Sequence, residues 1–322
     1  MEAAIREPEP PIAPVTAAGA ATRVRPRTRP RSLTDGAPRG MGWGIALSLL
    51  PGALLFATFF LVPLGIVIAT SFSHWDVVGT SYNGLANYRE LLGDSVFWHS
   101  VTNTAIYAAA GVFLQIPLAI FVALILSRRP RGWQVFRTIL FVPVVISGAA
   151  YALIFANFYN ASYGPLNRIV GLVGIGTRDW LFDVHTALPA LIGTYVFNIG
   201  FFMILVIAEI TALPVAIAEA SLVDGASSRQ RDLYVTIPLL RHVIGTCVLL
   251  SLLSSLSFFD IVYILTSGGP ADATVSLTVY AFREYASGRW GYANAIGSVI
   301  VVMGFVLIVA TRRAFRLGER TA

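Results

Sequence analysis

The sequence predicts an all-α membrane protein with six transmembrane helices, and three observations lead to this fold class. First, hydrophobic residues make up 56% of the 322 residues and charged residues only 12%, with a mean hydropathy of +0.72. Soluble domains carry about 25% charged residues. Second, six stretches reach the roughly 20 apolar residues that a helix needs to cross a bilayer. Third, arginine is distributed unevenly among the segments that join these stretches.

The six predicted spans are spaced along nearly the whole chain. The first carries no charged residue, and pairs of arginines follow the second and the last. The fifth is less uniform, because it contains Asp260 and several serines. The predicted spans cover residues 44–72, 102–127, 138–158, 186–208, 243–267 and 292–311.

The segment before the first span differs in composition from the rest. Residues 1–40 contain seven Pro and seven Arg with little to bury, which predicts a disordered tail ahead of a transmembrane domain over 41–322. The apolar run after the tail is too long for the core of a signal peptide, so an uncleaved anchor is expected. Beside a membrane, such a basic tail is expected to meet anionic lipid rather than nucleic acid.

Arginine placement predicts the orientation in the membrane. The tail, the connections 128–137 and 209–241, and the C-terminal segment together hold 18 of the 23 arginines. Positively charged segments stay on the cytoplasmic side. Both termini are therefore predicted to be cytoplasmic.

Several kinds of chemistry are excluded by residue content. All 23 basic residues are Arg and none is Lys, so a phosphate-binding P-loop, which needs a Lys, is excluded. If ATP drives this protein, another chain must hydrolyse it. A single cysteine, Cys247, excludes an internal disulfide and a C-x-x-C site. The four histidines have no H-E-x-x-H spacing, and no G-x-S-x-G motif occurs. Neither a metal site nor catalysis is expected.

One polar segment interrupts the apolar pattern on the predicted cytoplasmic side: "EASLVDGASSRQRDLYVTIPLL", residues 219–240. Pro214 suits the first turn of a helix, so a short helix is predicted over Val215–Val223. Gly225 tolerates a positive φ and supplies a turn. Ser227 can then cap a second short helix through Tyr234. A long solvated loop is the alternative.

This segment resembles a known motif. E-A-S-x-x-D-G-A followed by V-T-I-P-L-L is similar to the E-A-A…G…I-x-L-P loop of permease subunits in binding-protein-dependent ABC importers. In that family, the loop forms a coupling helix that docks into a cleft on the ATPase subunit. Asp232 stands where these loops commonly carry an aromatic residue. The resemblance implies a set of ATPase-coupling residues: Glu219, Ala220, Ser221, Asp224, Gly225 and Pro238.

The resemblance extends over residues 45–312. "LTSGGPADATVSLTVYAFREYASGRWGYANAIG" (265–297) looks like the T-x-G-G-P…T…Y…G-Y-A-x-A stretch of carbohydrate importers of the maltose and glycerol-phosphate type. Segments 84–107 and 163–171 also fit that subfamily. The implied fold is the type I ABC importer permease, whose core matches the last five spans here, with the first span as an extra helix.

The same resemblance implies a function and partners. The chain is expected to form the translocation pathway for a sugar delivered by an extracytoplasmic binding protein, in a bacterial plasma (inner) membrane. A second, related permease and two ATPase subunits would complete the complex. No cofactor is expected on this chain, because ATP and Mg²⁺ would bind to the ATPase subunits.

Polar groups inside the spans indicate where a sugar would pass, because such groups are costly in lipid and usually face a cavity or another helix. Hydroxyls and amides next to aromatic rings suit a sugar. Serines at these positions also permit close helix packing, and Asp260 is expected to make a structural hydrogen bond or ion pair. The candidate pathway residues are Phe197, Asn198, Phe202, Ser251, Ser255 and Phe258.

Two other functions are compatible with a polytopic membrane protein. A secondary transporter driven by an ion gradient typically contains internal repeats, and the first and second sets of three spans show no convincing repeat. A scaffold or sensor subunit is the other alternative, although it gains little from Asn198 at mid-membrane depth.

Overall fold

The computed structural model describes residues 41–174 and 176–315. The predicted disordered tail and the last seven residues lie outside this part. The described chain divides after Phe59, and the candidate site lies within the part that begins at Phe60. In the first part, the apolar side chains Leu47 and Leu54 are 71% and 57% exposed, as expected for a helix that faces lipid.

The described chain is mostly helical. Its one sheet is an antiparallel hairpin of β1, Ser73–Trp75, and β2, Thr80–Tyr82, in which His74 pairs with Ser81. Three π-helical segments cover Ala57–Leu61, Gly111–Gln115 and Asp232–Thr236. The helices α1 to α17 are Met41–Phe56, Val62–Thr70, Ala86–Gly93, Ser95–Ala110, Ile116–Ser127, Trp133–Val145, Gly148–Phe158, Pro165–Gly171, Ala187–Phe197, Gly200–Ala212, Val215–Val223, Ser228–Arg231, Ile237–Leu239, Arg241–Leu256, Asp260–Thr266, Leu277–Ala286 and Trp290–Phe315.

Four helices of the described chain are long and apolar enough to cross a membrane. They run over Leu47–Thr70, Ser95–Ser127, Ala187–Ala212 and Trp290–Phe315, and correspond to the first, second, fourth and sixth predicted spans. Two bent helix pairs raise the number to as many as six. The six-span prediction therefore agrees with the structure in number, if each bent pair crosses the membrane.

The third span is not the continuous helix predicted over 138–158. The chain turns by 109° between α6 and α7. Ile146 is extended (φ −78°, ψ 141°), and the Ser147 side chain then accepts a hydrogen bond from the Ala150 N–H at 3.3 Å, capping α7. An N-cap serine inside an apolar run starts a new helix without changing the hydropathy, which is why the break was not predicted.

The fifth span is also interrupted where a continuous helix was predicted over 243–267. Helix α14 ends at Leu256 and α15 begins at Asp260. The Phe258 carbonyl at this break accepts hydrogen bonds from the hydroxyls of Ser276 (2.9 Å) and Thr278 (3.2 Å). Side chains distant in sequence thus satisfy the freed backbone, as irregular structure at membrane depth requires.

Buried apolar side chains of the described chain form two clusters. The first includes Tyr107, Tyr151 and Tyr195, with members from α4, α7, α9 and α15. The second includes Met203 and Cys247, with members from α5, α10 and α14. Cys247 is fully buried there. Both clusters contribute residues to the candidate site described below.

The turn after the fifth span is held by the second span. Asn103 donates hydrogen bonds to the carbonyls of Val275 (3.0 Å) and Asp272 (3.3 Å), and the Tyr107 hydroxyl donates to the Thr274 carbonyl at 3.0 Å. Gly268 within this turn has a φ of +85°. The G-G-P motif is therefore part of a turn docked on α4.

Asp94 joins the start of the second span to α16 and to the sixth span. Its Oδ1 caps α4 by accepting from the Val96 N–H at 2.8 Å, and its Oδ2 accepts from the hydroxyls of Tyr280 and Tyr292. Partial burial would raise the pKa of the Asp94 carboxyl, but these hydrogen bonds outweigh it and lower that pKa below its usual value. The aspartate therefore holds this corner in its charged form.

Gly200 permits a close approach between the third and fourth spans. A Cβ built on Gly200 would lie 2.2 Å from the Leu140 carbonyl oxygen and 2.9 Å from the Phe141 Cα. Both are backbone atoms, which cannot rotate away. We expect Gly200→Ala to lower the free energy of unfolding by about 1–3 kcal/mol, measured by denaturant titration in mixed micelles.

Gly65→Ala is the matched control for this prediction. Gly65 is also helical, and no heavy atom lies within 4 Å of its built Cβ. Alanine should be neutral or slightly stabilising there, because it favours the helix more than glycine does. Equal stability of the two variants would show that the spans do not approach this closely.

Candidate functional site

A cavity of about 350 Å³ lies where the third, fourth and fifth spans are interrupted. It brings together residues from every span between the second and the fifth. Its aromatic and aliphatic walls alternate with a few polar groups, which is the usual make-up of a small-molecule site. It is lined by Gln115, Pro143, Val144, Ile146, Gly148, Tyr151, Tyr195, Asn198, Phe201, Phe202, Ser254, Ser257, Phe258, Phe259, Asp260 and Ile261.

Gln115 stabilises the break in the fourth span. Helix α9 ends at Phe197, and Asn198 takes a non-helical conformation (φ −82°, ψ 56°) before α10 begins. The Gln115 amide donates to the carbonyls of Tyr195 (2.9 Å) and Asn198 (3.1 Å), and its Oε1 accepts from the Ser251 hydroxyl at 3.2 Å. One side chain therefore connects the second, fourth and fifth spans.

Gln115 was not among the residues predicted from the sequence. It closes the π-helical segment of the second span, and its side chain is buried at 2% exposure. A lone amide in the run "VFLQIPLAI" is itself a signal, because a polar group inside a span needs a partner or a cavity. Applying that rule to the second span as well as to the fourth and fifth would have identified it.

Asn198 places an unsatisfied amide oxygen at the cavity. Its Oδ1 is buried and has no hydrogen-bond partner in the described chain. Buried polar atoms without partners are rare and costly in folded proteins, at about 1–3 kcal/mol each. The unpaired acceptor belongs to a residue that lines the cavity, and a ligand that brings its own donor can satisfy it.

The other polar groups at the cavity differ in whether their hydrogen-bonding atoms already have partners. The hydroxyls of Tyr151 and Tyr195 donate to the carbonyls of Thr194 and Ser251, both at 2.9 Å, so these residues offer their rings to the cavity. Ser254, by contrast, is exposed at the cavity wall. Free acceptors and hydroxyls beside aromatic rings suit a ligand with many hydroxyls and an apolar face.

Asp260 also lines the cavity. The structural hydrogen bond or ion pair expected for its side chain is not formed with any residue that the structure describes. Its carboxylate lies beside the start of α7, where a Cβ built on Gly148 would be 2.5 Å from the Asp260 Oδ2. The third and fifth spans therefore meet at this carboxylate, with no side chain between them.

The six residues predicted for the substrate pathway fall into two groups. Asn198, Phe202 and Phe258 line the cavity. Phe197 lies outside the lining and is 68% exposed. Ser251 and Ser255 are fully buried: Ser251 bonds to Gln115, and the Ser255 hydroxyl donates to the Leu252 carbonyl at 2.6 Å. These two serines fit the alternative in which small residues permit close helix packing.

The polar segment after the fourth span forms the predicted first helix. Helix α11 covers Val215–Val223, the bounds expected from Pro214 and the following turn. It ends in a Schellman motif: the Ala226 N–H donates to the Ser221 carbonyl and the Gly225 N–H to the Leu222 carbonyl, both at 3.0 Å. Gly225 has a φ of +73°, the conformation that a glycine tolerates at this position.

The second half of the segment begins with the predicted cap. The Ser227 N–H donates to the Gln230 side chain at 2.8 Å, while the Gln230 N–H donates to the Ser227 hydroxyl at 3.3 Å, which is a capping box. The helix continues in π form over Asp232–Thr236. Pro238 lies in the next short turn, and the chain bends by 69° into α14.

Asp232 forms an ion pair with Arg128 at the end of the second span. Its side chain is only 16% exposed. This contact explains how an aspartate is accommodated at the position where the related loops commonly carry an aromatic residue. The segment is thus tied to the second span as well as to its neighbours in sequence.

The exposed surface of the 215–236 segment is largely apolar. Val215, Leu222, Val223 and Tyr234 are 71%, 60%, 88% and 77% exposed, and Glu219 is exposed on the same helix. Exposed apolar groups of this size at one end of a membrane domain indicate a protein contact surface.

Comparisons with known proteins agree with this architecture. A sequence profile of the family "Binding-protein-dependent transport system inner membrane component" matches residues 115–320. The chain is 31% identical to the probable ABC transporter permease protein YurN of Bacillus subtilis over 85% of this chain and 96% of that protein. It is 36% identical to the trehalose/maltose transport system permease protein MalF of Thermococcus litoralis over 70% and 76%, respectively.

A solved structure shares the fold. A chain of a bacterial ABC transporter involved in the import of the acidic polysaccharide alginate superposes with a TM-score of 0.76 at 21% identity. The match covers 88% of this chain and 97% of that one.

Proposed function

Because the chain belongs to the family of binding-protein-dependent transport system inner membrane components, we propose that it forms the translocation pathway for a sugar in an ATP-driven importer. It is a transport subunit and not an enzyme, and ATP is hydrolysed by a separate chain. Relatives named for trehalose/maltose and multiple-sugar transport support a sugar as the substrate.

The proposed complex follows from the family. An extracytoplasmic binding protein delivers the sugar, a second related permease completes the pathway, and two ATPase subunits bind ATP and Mg²⁺. The distribution of arginines supports a bacterial plasma membrane orientation in which both termini are cytoplasmic. The exposed segment that includes Glu219, Ala220 and Gly225 then faces the ATPase subunits.

The unpaired amide oxygen of Asn198, on a residue that lines the cavity, is the observation that carries the proposed pathway. A sugar hydroxyl can donate to it, while the rings of Tyr151 and Phe258 pack against the apolar face of the sugar. The lining of this cavity includes no basic side chain, which suits a substrate without a strong negative charge.

Coupling follows from the rigidity of the 215–236 segment. ATP binding closes the ATPase dimer, and α11 moves with the ATPase as one body, because a Schellman motif fixes its C-terminal end and a capping box fixes the start of the next helix, α12. Coupling here means that ATP binding at one site changes the free energy of a conformational change at the other. The spans then expose the cavity to the binding protein, and hydrolysis restores the inward-facing state.

Substitution of Asn198 tests the pathway. We expect Asn198→Leu to reduce uptake at least tenfold, because a leucine removes the acceptor and fills part of the cavity. Uptake of radiolabelled trehalose, maltose and related sugars is measured in cells that carry the complete transporter, using the sugar that the wild type takes up fastest. Phe197→Leu is the control, since Phe197 is adjacent in sequence but outside the cavity.

Two outcomes would contradict the proposal. Unchanged uptake in Asn198→Leu would exclude this cavity as the pathway. Uptake that stops when the ion gradient is collapsed at constant ATP would instead identify a gradient-driven transporter.

A further inference from the structure

A second cavity, of about 410 Å³, lies away from the translocation pathway. It is enclosed by the ends of the second and fourth spans, by α11 and by the π-helical segment Asp232–Thr236. Its position at the ends of two spans places it at the level where a bilayer passes from acyl chains to headgroups. The pathway proposed above does not use this cavity.

The charge of this cavity is positive. Its lining includes Arg128, Arg129, Arg231 and a single acid, Asp232. Asp232 is already paired with Arg128, and the Arg129 guanidinium lies 5.7 Å from the ring centroid of Trp133. Within the described chain, neither Arg129 nor Arg231 has an acidic partner. The guanidinium groups of Arg129 and Arg231 are therefore available to bind an anion.

The rest of the lining is apolar and continues onto an exposed face of the spans. Leu124 and Leu239 both line the cavity, and Leu239 is 42% exposed. Phe121, one turn from Leu124 on the same helix face, is 61% exposed. A molecule seated among the arginines can therefore extend an apolar part along the second span.

We propose that this cavity binds an anionic phospholipid, with the phosphate between Arg129 and Arg231 and an acyl chain along Leu239 and Phe121. Guanidinium groups bind phosphate through paired hydrogen bonds. Basic pockets between spans at the cytoplasmic face are suited to anionic lipid headgroups. The lipid would join the 215–236 segment to the second span, next to the ion pair of Arg128 with Asp232.

Lipid binding by the full-length chain tests this proposal. The protein is delipidated in detergent and titrated with phosphatidylglycerol, and bound lipid is counted by native mass spectrometry. We expect a saturable site for phosphatidylglycerol, and an affinity about fivefold lower in Arg231→Gln, since one arginine near a bilayer contributes about that factor. Arg231 has no ion pair to lose within the described chain, so its substitution should leave the fold unchanged.

Arg313→Gln is the matched control, because Arg313 is exposed at the end of the sixth span and does not line the cavity. Equal weakening by Arg231→Gln and Arg313→Gln would indicate general charge attraction and overturn the proposal. So would equal affinity for phosphatidylcholine. Displacement of the lipid by millimolar inorganic phosphate would identify a site for a free anion instead.

Discussion

Gly225→Val is expected to abolish sugar uptake while the protein still inserts into the membrane. Gly225 has a φ of +73° in the Schellman motif that ends α11. A non-glycine residue pays about 1–2 kcal/mol in this conformation, and a β-branched residue is a marked outlier there. The turn that joins α11 to the capping box at Ser227 would therefore rearrange.

Gly225→Asn separates this backbone effect from simple bulk. No heavy atom lies within 4 Å of a Cβ built on Gly225, so a side chain meets no obstacle. Asparagine adopts the left-handed conformation more readily than other residues. We expect Gly225→Asn to keep most of the uptake at equal membrane abundance. Similar uptake by the two variants, whether high or low, would show that the positive φ is not what coupling requires.

Recovery of the ATPase subunit distinguishes loss of docking from loss of motion. The complex is purified from solubilised membranes through a tag on this chain, and the ATPase is quantified. A changed turn should weaken its recovery in Gly225→Val, because α11 and its exposed residues Leu222 and Val223 are displaced.

Gln115→Leu should have the largest effect on stability. Leucine fills a similar volume but leaves the Asn198 carbonyl without a donor. It also removes the shorter of the two hydrogen bonds to the Tyr195 carbonyl, whose other donor is the Asn198 N–H at 3.3 Å, and the Gln115 acceptor of the Ser251 hydroxyl. Buried polar groups without partners cost about 1–3 kcal/mol each in proteins, and hydrogen bonds between membrane helices contribute about 0.6–2 kcal/mol. We expect the free energy of unfolding to fall by about 2–4 kcal/mol and uptake to fall at least tenfold.

Gln134→Leu is the control for this second prediction. Gln134 is exposed on α6, and surface substitutions usually change stability by less than about 0.5 kcal/mol. Denaturant titration in mixed micelles measures both variants. If Gln115→Leu unfolded like the wild type, the three-span connection through Gln115 would contribute nothing, and another group would have to satisfy the break in the fourth span.

The features that the sequence predicted well depend on local signals. Hydrophobic length located four of the six spans as single helices, and Pro214, Gly225 and Ser227 located the helix, turn and cap of the polar segment after the fourth span. The resemblance to ABC importer permeases is confirmed by the family profile and by relatives of this chain, and the fold by a solved transporter. Each of these local signals lies within a few residues of the structural element that it determines.

The interruptions and ion pairs depend on partners far apart in the chain. Gln115 and Asn198 are 83 residues apart, and Arg128 and Asp232 are 104 residues apart. Hydropathy alone cannot predict that an apolar run stops at Ile146 or Asn198, because the break is stable only when distant side chains satisfy the backbone. Which serines of the fifth span line the cavity could likewise not be predicted, because this depends on which side of the helix faces the cavity.

The two apolar clusters divide the fourth and fifth spans at the level of the cavity. In the fourth span, Tyr195 belongs to one cluster and Phe202 to the other; in the fifth, Phe258 and Cys247 are divided in the same way. Packed cores resist deformation, whereas irregular backbone between them can change its dihedral angles at lower cost. If the sugar binds in this cavity, we expect it to contact residues of both clusters, so that the residues that recognise it also contribute to the free energy of opening and closing.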